Sequence, residues 1–109
     1  MAGTALSAGV LAVVAALALG LAAAGGAAVT AQRAAGAADA AALAAADAAS
    51  GAIPTVDTPC GLAARVAAAS HTRLMECTVT GLVATVRVQA AYAGLAAVSR
   101  ARAGPPEDR

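Results

Sequence analysis

Phenylalanine, tryptophan and lysine are absent from this chain, and tyrosine occurs once, at Tyr92. Without bulky aromatics, 109 residues have little large apolar area to bury. Charge is scarce and nearly balanced, with seven basic and six acidic residues, and the arginines are scattered. That pattern, with no aromatic interleaving, excludes a nucleic-acid partner. One histidine, His71, and two cysteines fall short of a four-ligand metal centre. No glycine-rich phosphate loop and no Ser-His-Asp pattern occurs, so the chain reads as non-enzymatic, without cofactor or small-molecule substrate. Asp39 and Asp47 read as a solvated helix face, not an acid/base pair. His71 reads as a capping or solvent-facing residue.

What is present is mostly alanine. Hydrophobic residues make up 61% of the chain, yet alanine buries little area per residue. At about 25 cal/mol per Å², such a core is weak. Help is required from a membrane, a partner or a covalent link.

Charge is not only scarce but displaced. None occurs from Met1 to Gln32, and Leu6 to Val29 is an uninterrupted run of small and apolar residues. As a helix that run is about 36 Å long, enough to cross a hydrocarbon core of about 30 Å. A cleaved secretory signal is the competing reading, with cut sites near Ala22 and Ala24. The run is long for a signal core of about 7–15 residues, which favours a retained helix. The missing basic flank raises the expectation of a translation start upstream of Met1. Arg33 by itself would place the C-terminal part in the cytoplasm.

Two stripes divide this helix. Leu6, Val10, Val13, Val14, Leu17 and Leu21 share one side. Gly9, Ala12, Ala16, Gly20, Ala23 and Ala27 form a small-residue stripe beside it, of the kind that lets membrane helices approach closely. The alanine-rich segment from Ala31 to Ser50 continues the stripe through Ala34, Ala38, Ala41, Ala45 and Ala49. Gln32, Arg33, Asp39, Leu43 and Asp47 gather opposite. Alanine is the best helix former, so the sequence predicts one helix over about 6–50 with a packing seam along its length.

Residues 51–58 read as a linker after a glycine stop at Gly51. Thr58 and Pro59 start a second helix, to about Ser70, with Leu62, Val66 and Ala69 on one face and Gly61 weakening it. A β-hairpin follows. Met75, Cys77 and Val79 alternate with polar residues, then Ala84, Val86 and Val88 do so after Gly81. A two-residue turn, Thr80-Gly81 or Gly81-Leu82, keeps both apolar rows on one face, which the second helix would cover. Residues 91–104 read as either a short helix or a further strand. The predicted division is 1–50 helix, 51–58 linker, 59–98 small α+β domain and 99–109 flexible tail.

Cys60 in the first turn of the second helix and Cys77 on the inward strand face point into the same core. A disulfide between them would close a short loop and stabilise by about 3 kcal/mol. Disulfides persist outside the cytoplasm, so the cysteines oppose Arg33 and outweigh it. Two buried free thiols are the other reading.

The order of these features resembles the actinobacterial TadE-like family. The stretches carrying the resemblance are "AADAAALAAA" (Ala37 to Ala46), "CTVTGLVATVRV" (Cys77 to Val88) and "RARAGP" near the end. That family is similar to the TadE and TadG components of Flp/Tad pilus machines. The resemblance implies a pilin-like architecture and a single-pass anchor in the cell membrane, with the small domain outside. Its partners would be other pilin-like or Tad secretion components, or further copies of itself. Gly3 is the position a prepilin-type cut would use, although no glutamate follows it. Two alternatives stand beside this reading: a small secreted, disulfide-stapled binding protein, and a cytosol-facing membrane adaptor with reduced thiols.

Overall fold

The computed structural model describes residues 2–106. Its elements run α1 (Ala2–Ser50), α2 (Pro59–Ala69), β1 (Arg73–Thr80), β2 (Val83–Tyr92) and β3 (Leu95–Ala103). The architecture is α+β with a long N-terminal helix, as the sequence predicts.

Helix α1 sets the shape. Its 49 residues span about 74 Å at 1.5 Å per residue, and the longest molecular dimension is 75 Å. It stops where Gly51 adopts a positive φ of 75°. Gly51 N–H donates to the Ala48 carbonyl and Ala52 N–H to the Asp47 carbonyl, the paired bonds of a Schellman cap. Helix α2 ends in the same way, with His71 and Thr72 N–H donating to the Ala68 and Ala67 carbonyls. Here a histidine, not a glycine, holds the positive φ, at 56°. At the start of α2, Thr58 Oγ1 accepts from Gly61 N–H at 3.0 Å. A Cβ on Gly61 would lie 2.8 Å from that oxygen. Glycine there makes room for the cap.

The three strands form one antiparallel sheet in the order β1-β2-β3. The β1–β2 turn is Gly81-Leu82, with Gly81 at φ 61°, as a glycine in the first turn position requires. Cys77 pairs with Val86 and Val79 with Ala84, while the register shifts between Leu74 and Glu76. That irregularity corrects the predicted alternation. Met75 is exposed, and Leu74 takes the half-buried place opposite Val88.

Residues 91–104 resolve into the end of β2, a two-residue turn and β3, so the predicted hairpin is two hairpins in succession. Strand β3 reaches Ala103, past the domain end expected at 98, and moves the start of any tail beyond it. The remainder of the expected frayed end, 107–109, lies outside the described residues.

One face of the sheet is covered by helix, but chiefly not by the helix expected. Helix α1 lies over β2 and β3, and α2 packs on α1 and β1. The core consists of Ala34, Ala37, Ala38, Ala41, Ala42, Ala45 and Ala46 from α1, Ala63 and Ala67 from α2, and Ala84, Val86, Val88, Ala90 and Ala101 from the sheet. Ala69, predicted on the packed face of α2, is exposed, and Ala63 and Ala67 take that role. Small residues on both layers bring the helix close to the sheet, so many weak dispersion contacts replace a few large side chains.

Candidate functional site

The predicted packing seam is one continuous helix stripe, but the structure gives its two halves different surroundings. Ala34, Ala38, Ala41 and Ala45 are at most 1% exposed and lie in the core of their own domain. They are not available to a neighbouring molecule, which corrects the expected seam over its C-terminal half. Ala49 is half-buried. Gly9, Ala12, Ala16, Gly20, Ala23 and Ala27 are exposed. A Cβ built on Gly9 or Gly20 meets nothing within 4 Å. Nothing inside this chain therefore requires glycine at either position.

The bare half also carries the large apolar residues. Leu6, Leu11, Leu17, Leu19 and Leu21 are all exposed. The most apolar stretch of α1 has a mean hydropathy of 2.4, and none of it is buried. By length and composition α1 can cross a membrane. Burial begins at Gly26 and Thr30, so the free rod of residues 2–25 meets the domain within one helix turn.

Tyr92 marks that junction. A Cβ on Gly26 would overlap Tyr92 at Oη and Cζ. The phenol thus rests directly on the helix backbone, and glycine is the residue that admits it. One turn on, Thr30 is 4% exposed and its Oγ1 donates to the Gly26 carbonyl at 2.8 Å. Ala27, Thr30, Tyr92, Leu95, Ala96 and Ala97 line an apolar cleft of about 170 Å³ at this point. The sequence reading singled out neither Gly26 nor Tyr92 for a role. Their signal was present all the same, in the lone aromatic of a chain that otherwise avoids them.

Cys60 and Cys77 form a disulfide with a Cα–Cα distance of 5.8 Å. It joins the first turn of α2 to the middle of β1, at the strand that α1 barely touches. The bond fits an oxidising compartment. On the sheet face away from the helices, Glu76 pairs across β1–β2 with Arg87, and Arg87 across β2–β3 with Arg100. Glu76 accepts from Arg87 at 2.8 Å and lies 3.8 Å from Arg100. His71 is exposed at its helix cap. Asp39 and Asp47 are exposed on α1, eight residues apart. Among the described residues no group of three or more His, Cys, Asp or Glu side chains could hold a metal ion.

No protein-family model matches the chain, and no curated protein or solved structure is detectably similar to it.

Proposed function

We propose that this chain is a membrane-anchored, non-catalytic component of a pilus-like or secretion assembly, similar to TadE-like proteins. It acts by packing its bare N-terminal helix against other helices in the bilayer, with its stapled domain held outside the cytoplasm. The observation that carries this reading is the division of α1. One half is consumed by its own domain, while residues 2–25 carry exposed leucines and unexplained glycines on a continuous rigid rod. Small residues at Gly9, Ala12, Ala16, Gly20 and Ala23 suit close helix approach in lipid, where packing and not the hydrophobic effect drives association.

The test is a Gly9→Leu/Gly20→Leu variant expressed at full length. Membrane insertion and domain stability should stay unchanged, because neither position touches the domain. Co-purification with partner helices, or with tagged copies of the same chain, should fall. Undiminished association would remove the seam from the mechanism.

A second reading has its own support. The boundary between bare and packed helix falls at Gly25-Gly26, immediately after the small residues Ala22 and Ala24. A signal cut there would release a domain with its packed residues intact. Intact mass of the native protein, alkylated without reduction, separates the two. A retained residue 2–25 segment with linked cysteines supports the anchored component, and a chain starting near Gly25 supports a secreted binding module.

A further inference from the structure

The strand layer ends where the membrane run of the helix ends. Strand β2 rises antiparallel to α1 from Val83, with the neighbouring turn near Ser50, to Tyr92 against Gly26. The 10 residues of β2 cover about 33 Å at 3.3 Å each, and the helix from Gly26 to Asp47 covers about 32 Å at 1.5 Å each. The Ala93-Gly94 turn therefore lies level with the last turn of the apolar run.

That tip is unlike the rest of the domain surface. No charged residue occurs from Val88 to Ser99. Leu95 is 71% exposed, and Ala93, Ala96 and Val98 are exposed beside it. On the outer sheet face charge is confined away from the tip: Arg87 pairs with Arg100, whereas Ala91 pairs with Ala96. The turn itself has positive φ at both residues, 49° at Ala93 and 78° at Gly94. Such turns strongly favour Asn, Asp or Gly at the first position. Here an alanine takes the strained conformation, and the usual polar side chain is missing.

These observations share one explanation. A hydrocarbon core of about 30 Å takes about 20 helical residues. With Leu6 at its far edge, the core ends at about Gly25; with Val29 at its near edge, it ends about 4.5 Å beyond Gly26. Each headgroup layer adds roughly 5–7 Å. In both placements Tyr92 and the turn stand at the lipid boundary. Tyrosine is enriched at that depth because its ring is apolar and its hydroxyl is wet.

We propose that the β2–β3 tip, Tyr92 to Leu95 with Ala96, is a second membrane contact that inserts into the boundary between headgroups and acyl chains. This rests on the reading of α1 as a membrane span. It makes the domain sit on the bilayer at one fixed height and tilt.

The chain contains no tryptophan, so single substitutions report depth cleanly. Three full-length variants, Leu95→Trp, Val13→Trp and Val56→Trp, are reconstituted in phosphatidylcholine vesicles, with brominated lipids as quenchers. All three sites are exposed, so the fold should accept the larger ring. Leu95→Trp is expected to emit to the blue and to be quenched about two-fold by bromine placed high on the acyl chain. Val13→Trp should respond to bromine placed deep, and Val56→Trp in the linker should not respond. If Val13→Trp is quenched while Leu95→Trp emits as in water, the tip contact is overturned and the membrane span stands. If Leu95→Trp is blue-shifted but unquenched, protein covers the tip and the lipid proposal fails. If Val13→Trp is unquenched, the span fails and takes the tip contact with it.

Discussion

Single residues in this protein are mostly chosen by how little space they take. Ala38 has no accessible surface and lies between the sheet and the axis of α1. Ala38→Leu forces extra volume into a closely packed layer, which costs about 1–3 kcal/mol. Thermal unfolding should show that loss, whereas Gly20→Leu should leave the transition where it is. Gly26 is more restrictive in one respect, because even one methyl overlaps the Tyr92 phenol. Gly26→Ala is expected to push Tyr92 off the helix and speed amide exchange at residues 90–97, with little change at Cys77. His71 shows the opposite situation, a side chain where none is wanted. A left-handed conformation costs a β-carbon residue about 1–2 kcal/mol, and glycine returns part of that in chain entropy. His71→Gly should therefore raise stability by about 0.5–1 kcal/mol in chemical denaturation.

At the scale of elements, two kinds of attachment hold the domain together. Helix α1 is attached to β2 and β3 by a long alanine interface, but β1 lies at the sheet edge it scarcely reaches. The Cys60–Cys77 bond supplies what that edge lacks. Its loop, a sequence separation of 17, corresponds to about 3 kcal/mol of restricted unfolded-state freedom. Cys60→Ala/Cys77→Ala is expected to lower the Tm by more than about 10 °C and to free α2 and β1 first in hydrogen exchange. The Glu76–Arg87–Arg100 row contributes far less, because all three side chains are more than a third exposed. Glu76→Gln leaves two arginines directly opposed across β2–β3, a destabilisation of about 0.5 kcal/mol that salt should reduce.

For the whole molecule, the dominant fact is a 75 Å rod that is bare at one end and clothed at the other. The bare end alone can be removed without exposing the alanine core. Proteolytic removal of residues 2–25 is thus expected to leave the disulfide-linked domain folded, with its thermal transition shifted by only a few degrees. A large loss of stability on that cut would mean that the free half of α1 supports the domain after all. The bare half and the domain share one unbroken helix, so any tilt of a membrane-spanning bare half would be transmitted directly to the sheet. A second contact at the hairpin tip would restrict that tilt.

The sequence by itself determined the long helix, its glycine stop, the second helix start and the first hairpin. Each is written in local terms: charge-free length, a cap, a proline, a period of two. It also placed the two cysteines in one core, because both elements that carry them were legible. It could not say which surface the alanine stripe packs on. A stripe of small residues is equally suited to a neighbouring helix and to the inner face of a sheet, and only the chain's own third strand made the sheet wide enough to claim it. Strand β3 was hard to read because Leu95, Ala96 and Ala97 break the alternation where the tip is apolar on both faces. The partnership of Gly26 with Tyr92 is decided by tertiary structure alone. These residues lie far apart in the chain, and they meet because ten extended residues happen to match the length of about twenty-one helical ones.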